Sequence, residues 1–208
     1  MDLRRAFAIE VLVRGEGRFR YRLAIAASST PRVPPGQRRD IGWLNFAIAR
    51  LAGLATRGRP PRIFLTLGRH RRLFRRWLWF AAALMPGGRL PRPDTELVIL
   101  RVAHNSGCEY EWSHHERLGR RAGLSDAEIA RVRQGGDAHG WSERQATLFH
   151  AADELHREGK IGDDLWERLS SHLDQVELIE LCMLVGHYEM LAMTLNSLGV
   201  EPDFAPRA

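Results

Sequence analysis

The run Glu96-Leu-Val-Ile-Leu-Arg-Val-Ala-His104-Asn-Ser-Gly-Cys108-Glu-Tyr110-Glu111-Trp112-Ser-His114-His115 brings carboxylates, a thiol and imidazoles together in a short part of the chain. The first half of this run is apolar and follows the stop signal Pro91-Arg92-Pro93. The apolar residues predict a helix that begins after this signal. Ser106-Gly107 predicts the end of that helix, because glycine weakens helical structure. A second helix is therefore expected to begin around Cys108.

Cys108, Glu111 and His115 are spaced to lie on one face of that second helix. Since a helix turns by about 100° per residue, Glu111 lies one turn and His115 two turns beyond Cys108. A thiol in the first turn lies at the positive end of the helix dipole, which favours the thiolate. An imidazole on the same face can accept or return its proton, and a carboxylate can orient the imidazole. The spacing therefore predicts a reactive cysteine with a proton relay.

The spacing of these residues resembles the signature of the alkylhydroperoxidase D-like, carboxymuconolactone decarboxylase superfamily. That signature runs from a glutamate to a first cysteine, then to a second cysteine and a histidine. Here the four positions hold Glu96, Cys108, Glu111 and His115. The chain therefore departs from the type members at the second cysteine, where it has a carboxylate.

The resemblance extends from about Gly42 to Pro202 and is strongest over residues 89–136 and 174–199. It implies an all-α, alkylhydroperoxidase D-like fold. It also implies a homo-oligomer, for which a dimer, a trimer and a hexamer all remain open.

For function, the resemblance implies a thiol-dependent peroxidase of the peroxiredoxin type. Cys108 would attack a hydroperoxide while Glu96 and His115 handle the proton. Because Glu111 replaces the second cysteine, no local disulfide can form, and an external thiol would reduce the sulfenic acid. Glu111 itself either substitutes at that position or forms an ion pair with His115. No metal and no cofactor are expected.

Two alternatives remain open. One is a decarboxylase or lactone enzyme that uses His115 as acid and base on a carboxylated lactone, without redox chemistry. The other is a non-catalytic oligomeric binding protein with an Arg-rich surface. The resemblance implies that decarboxylases need not keep the cysteine pattern, so Cys108 favours the peroxidase.

Four further side chains are candidates for lining a substrate pocket: Tyr110, Trp112, His104 and His187. Each also has a simpler interpretation as a packing residue of the core. Cys182 lies in an apolar helix and is interpreted as core.

Charge is unevenly distributed along the 208 residues. Residues 1–92 carry 20 arginines and four acids, whereas residues 93–208 carry 11 basic residues and 21 acids. Such asymmetry is typical of contact with nucleic acid or membrane, or of attraction between subunits. Nucleic-acid binding is not expected, because no recognition module is visible.

The longest apolar run, Trp77 to Met85, is far shorter than the roughly 20 residues that span a membrane. With only two cysteines, a reducing compartment, the cytoplasm, is predicted.

The chain divides into an N-terminal extension, residues 1–37, and a helical domain, residues 38–208. Within the extension, two apolar runs flank Gly15-Glu16-Gly17, which predicts a short hairpin or, alternatively, a disordered segment. Residues 28–40 are rich in proline and predict a linker.

Three apolar patterns predict the helical core. One buried face is expected near the start of the domain, another in the helix after residue 69, and the last helix, residues 175–197, is expected to be buried nearly all round or to form a subunit interface. The first buried face consists of Trp43, Leu44, Ile48, Leu51 and Leu54. The second consists of Trp77, Trp79, Phe80, Leu84 and Met85.

Overall fold

The computed structural model describes residues 30–55 and 59–204. The predicted hairpin and most of the extension lie outside these residues. Val33 N–H donates to the carbonyl of Leu198 at the end of the last helix over 3.2 Å, and Gly36 N–H donates to the carbonyl of Leu65 over 3.0 Å. The boundary between extension and domain at residues 37 and 38 stays a prediction.

The described residues form helices and turns but no strand, which confirms the all-α prediction. The elements are α1 (Arg38–Ile41), α2 (Trp43–Ala55), α3 (Arg62–Leu67), α4 (Arg71–Leu84), α5 (Arg92–Asn105), α6 (Glu109–Arg121), α7 (Asp126–Arg131), a 3₁₀ turn (Val132–Gln134), α8 (Glu143–Glu158), α9 (Asp163–Ser170) and α10 (Gln175–Leu198).

Helix α5 is the centre of the fold, because it packs against α6, α8 and α10. Val98 and Ile99 belong to the apolar cluster that includes α10, whereas Leu97 and Leu100 belong to a second cluster that includes Phe149 of α8. The middle of the helix, Leu97 to Leu100, is therefore buried on all sides, as its four consecutive apolar residues require.

The junction between α5 and α6 places the predicted reactive residues. Helix α5 ends at Asn105, and Gly107 has a φ of 58°, a left-handed conformation that favours glycine. Cys108 is the N-cap residue of α6, and its N–H donates to the carbonyl of Ala103 over 2.8 Å. The predicted break and the predicted start of the second helix are both confirmed. This sharp turn folds α6 back along α5, so that the inward face of α6 meets Glu96.

The prediction of a buried face on α2 was wrong. Trp43 is 74% exposed and Leu54 is 75% exposed, and Leu44 and Leu51 are also exposed. The predicted buried face of α4 is also only partly buried, since Leu84 is buried but Trp79 is 79% exposed. Periodicity establishes which residues share a helix face, but it does not establish that another element covers that face.

Helix α10 is long and apolar enough to cross a membrane, judged by length and composition alone. Half of its most apolar window is buried inside the fold, as expected of the core helix of a globular domain. The opposite side is not covered, so the predicted all-round burial is only half correct. The exposed residues of that side are Val176, Ile179, Met183, Met190 and Met193.

Candidate active site

Glu96 lies on α5 and is fully buried. One turn before it on the same helix, Arg92 donates from Nε to Glu96 Oε1 over 2.7 Å. The other carboxylate oxygen, Oε2, lies 2.7 Å from His115 Nδ1. Both oxygens of this buried carboxylate are thus paired, which fixes its orientation and offsets the cost of burying its charge.

His115 lies between two buried carboxylates. Its Nδ1 faces Glu96, and its Nε2 lies 3.2 Å from Oε2 of Glu111, which is one turn earlier on α6. Burial lowers the pKa of His115, but the negative charges and hydrogen bonds of Glu96 and Glu111 outweigh that effect and raise it to about 9. At neutral pH the imidazole therefore carries both protons and donates one to each carboxylate.

The raised pKa of His115 makes the stability of the protein depend on pH. In an unfolded chain a histidine has a pKa of about 6.5, so the contribution is complete below about pH 6.5. It is lost as pH rises through about 9, the pKa in the folded protein. We expect the free energy of unfolding to fall by about 3 kcal/mol over this window.

Urea unfolding at a series of pH values between 6 and 10 measures this loss. A His115→Phe variant is the reference, because it lacks the titrating group. If the wild type and the variant lose stability in parallel across the window, His115 is not the cause.

Cys108 is buried at the first turn of α6, but its electrostatic environment differs from the prediction. Burial and the negative charge of Glu111 raise the pKa of the Cys108 thiol to about 12. The backbone amides of Glu111 and Tyr110 act in the opposite direction, as the helix dipole argument requires, but they are outweighed. No hydrogen bond joins Cys108 to His115 in the described part of the chain, because both ring nitrogens of His115 face carboxylates.

Two residues at this site were missed by sequence reasoning. Arg92 had a usable signal, because it lies four residues before Glu96 and carries the opposite charge. Tyr188 had none, because it comes from α10, far away in sequence. Its ring meets that of His115 edge to face at 5.0 Å. Burial and the charges of Glu111 and Glu96 raise the pKa of Tyr188 well above the usual value, so it is a neutral phenol.

The predicted pocket residues of α6 lie in different places. Tyr110 faces the C-terminal residues, where its hydroxyl donates to Asp203 over 2.6 Å and accepts from Ile63 N–H. Its ring stacks on that of His114 at 4.6 Å.

Trp112 belongs to the apolar cluster of Phe149, so its contacts are not those of the His115 group. Its ring meets His104 at 6.4 Å, and the guanidinium of Arg133 lies 3.8 Å above it. His187 is linked to the His115 group by a shared contact, because both rings meet that of Tyr188.

Comparison with known proteins shows the fold and a family match over part of the chain. Residues 71–154 match the carboxymuconolactone decarboxylase family, and this range includes Cys108, Glu111 and His115. A search of curated proteins finds no match.

Among solved structures, an alkylhydroperoxidase AhpD core protein from Ralstonia eutropha JMP134, described as peroxidase-related, is 18% identical. It covers 83% of this chain and 92% of its own, with a TM-score of 0.74. A peroxidase-related protein from Silicibacter sp. TM1040 is 13% identical and covers 85% of this chain and 95% of its own, with a TM-score of 0.73. The debrominase Bmp8, as its C82A variant with 2,3,4-tribromopyrrole, is 14% identical and covers 82% of this chain and 91% of its own, with a TM-score of 0.70. Residues 71–154 thus match the carboxymuconolactone decarboxylase family, and the described residues have the fold of AhpD-like proteins.

Proposed function

We propose that this protein is an enzyme that transfers protons on a carboxylated small molecule, in a decarboxylase or lactone reaction without redox chemistry. One observation supports this above the others: His115 Nε2 faces the carboxylate of Glu111 and not the thiol of Cys108. The position at which the resemblance expects a second thiol thus holds a group that can exchange protons but cannot be oxidised.

The two nitrogens of His115 have different roles in this proposal. Glu96 holds the Nδ1 proton, and Arg92 holds Glu96, so this side is a fixed orienting pair. The exchangeable proton is on Nε2, next to Glu111. When a substrate loses carbon dioxide, the electron pair of the broken C–C bond stays on the substrate. The imidazolium supplies the proton that this pair takes up, either directly or through Glu111, and is reprotonated from solvent.

Carboxymuconolactone is the probe that tests the proposal, with carbon dioxide release as the measurement. We expect Glu96→Gln and Glu111→Gln each to lower kcat/KM about 100-fold, because each removes one side of the relay. Cys108→Ser is expected to stay within about twofold of the wild type, since a thiol with a high pKa takes no part. If Cys108→Ser abolishes the activity and Glu111→Gln retains it, the assignment to the relay is wrong.

A thiol-dependent peroxidase remains a second candidate, because the amides of Glu111 and Tyr110 favour the thiolate of Cys108. A hydroperoxide would oxidise this thiolate to a sulfenic acid, with an alcohol or water as the other product, and an external thiol would reduce it. A reducing compartment such as the cytoplasm suits this candidate.

Sulfenic acid trapping separates the two candidates. Reduced protein is treated with stoichiometric peroxide and a sulfenate-specific reagent, and the labelled cysteine is mapped by mass spectrometry. We expect labelling of Cys108 to be slow and no faster than that of Cys182, since the pKa of the Cys108 thiol is about 12. Fast labelling confined to Cys108, and slowed by His115→Ala, would establish the peroxidase instead.

We also propose that the protein is a homo-oligomer. The exposed apolar residues of α10 recur at steps of three, four and seven residues, a spacing that suits packing against another helix. Sedimentation analysis measures the number of subunits, and a monomer at micromolar concentration would contradict the proposal.

A further inference from the structure

Two buried polar atoms lie close together between α4 and α10. Neither Trp77 Nε1 nor His187 Nδ1 has a hydrogen-bond partner within residues 30–55 and 59–204. The two rings stack with centroids 6.2 Å apart and an angle of 19° between their planes, and His187 is only 5% exposed. Because leaving buried polar groups unpaired is costly, two of them in one place indicate a position for the polar atom of a ligand.

The inner side of this pair adjoins the candidate active site. His187 meets the ring of Tyr188 edge to face at 5.1 Å, and Tyr188 meets His115 at 5.0 Å. A single aromatic ring therefore separates the unpaired atoms from the His115 relay. A small molecule bound at the pair therefore lies next to Tyr188, whose ring also meets His115.

The outer side of the pair leads to solvent. Phe80 lies 5.2 Å from His187, edge to face, and is 37% exposed. On the opposite face of the same helix from Trp77, Arg72, Arg75, Arg76 and Trp79 line a surface cavity of about 430 Å³. Helix α4 contains no acidic residue, so the field at this surface is positive and attracts anions.

The two unpaired atoms also limit the kind of ligand. An indole N–H can only donate, so the atom that it binds must be an acceptor. Burial lowers the pKa of His187, and the ring is therefore neutral, with one N–H and one acceptor nitrogen. The surrounding rings of Trp77, Phe80 and Tyr188 favour a flat molecule.

We propose that Trp77 and His187 bind an oxygen atom of a flat, conjugated carboxylic acid and hold it beside Tyr188 and His115. This inference rests on the proposed function for the identity of the reaction, whereas the binding step does not require turnover. Trp77 and His187 are specificity-determining residues in this arrangement, and the arginines of α4 raise the rate at which the anion arrives.

The test uses the full chain and benzoate as the probe. In a ¹H–¹⁵N spectrum the indole N–H signal of Trp77 is identified by its loss in Trp77→Phe, which keeps an aromatic ring but removes the donor. We expect benzoate to shift this signal downfield and saturably in the wild type, because the N–H gains an acceptor. Cyclohexane, which has no acceptor, is expected to leave the signal unchanged.

Matched variants then give the affinity. Trp77→Phe and His187→Phe are each expected to weaken benzoate binding about tenfold, equivalent to about 1.4 kcal/mol. Trp166→Phe, which removes an exposed indole on α9, is expected to leave the affinity unchanged. In the ligand-free protein, Trp77→Phe removes an unpaired N–H but also part of a ring that packs against the core, so urea unfolding is measured beside the affinity to show that the variant is folded. A Trp77 signal that does not move at millimolar benzoate, or equal affinities for wild type and both ring variants, would overturn the inference.

The outcomes also separate this inference from the proposed function. Benzoate binding that depends on Trp77, without any turnover of carboxymuconolactone, supports the binding site and contradicts the proposed reaction. Turnover with an unchanged KM in both Trp77→Phe and His187→Phe supports the reaction and contradicts the binding site.

Discussion

Replacing His115 by alanine is expected to lower the free energy of unfolding at pH 7 by about 3–5 kcal/mol. His115 is the one cation paired with Glu111 in the described part of the chain, and Glu111 is only 3% exposed. The substitution leaves that carboxylate buried and unpaired. It also removes one of the two partners of Glu96, so that Arg92 alone neutralises this second buried charge.

Urea denaturation of the wild type and the variant measures the difference. His139→Ala is the matched control, because His139 is exposed, and its effect should lie within about 0.5 kcal/mol of zero. Equal effects of the two substitutions at pH 7 would show that the buried ion pairs do not stabilise the fold.

Arg101→Ala is expected to be as damaging, by about 3–5 kcal/mol, for a different reason. The guanidinium of Arg101, on α5, makes two parallel bonds to Asp153 of α8, Nε to Oδ1 at 2.6 Å and Nη2 to Oδ2 at 2.8 Å. Its Nη1 also donates to the carbonyl of Val132 in the 3₁₀ turn over 2.9 Å. One side chain thus joins three elements, and its removal leaves a half-buried carboxylate and a carbonyl without these donors.

Arg120→Ala is the control for this second prediction. Arg120 also makes two ion pairs, with Glu116 and Asp126, but the Asp126 side chain is 76% exposed. Exposed pairs contribute little, so we expect a loss below about 1 kcal/mol. A double-mutant cycle with Asp153→Asn isolates the Arg101 pair. Additive effects of Arg101→Ala and Asp153→Asn would show that the contact contributes no coupling energy.

Much of the fold follows from local sequence. The apolar run after Pro91 requires a buried helix, and Gly107 supplies the left-handed residue that ends it. The break at Gly107 makes Cys108 the N-cap residue of α6, and the four-residue step from Glu111 makes its carboxylate a neighbour of His115. These features depend on backbone preferences and helical spacing, which act over a few residues and can be recognised without knowing the rest of the structure.

The chemistry of the site depends on contacts between distant elements. Helical spacing puts Cys108, Glu111 and His115 on one face, but it does not reveal how much water reaches them. Burial by the surrounding helices makes the Cys108 thiol a poor acid, and Glu96 on α5 turns the His115 ring so that its other nitrogen faces Glu111. The position of Tyr188 beside that ring depends on the packing of α10 against α5 and α6.

The apolar residues of α2 and of one side of α10 show the same difference between what the sequence determines and what the tertiary structure determines. Their spacing is evident in the sequence, and both sets share a helix face as predicted. Whether such a face is buried depends on which element packs over it, and within the described residues nothing covers Trp43, Leu54 or Met193. Hydrophobic periodicity is a property of one helix, whereas burial and protonation are properties of the assembled tertiary structure, because both arise from the exclusion of water by neighbouring elements.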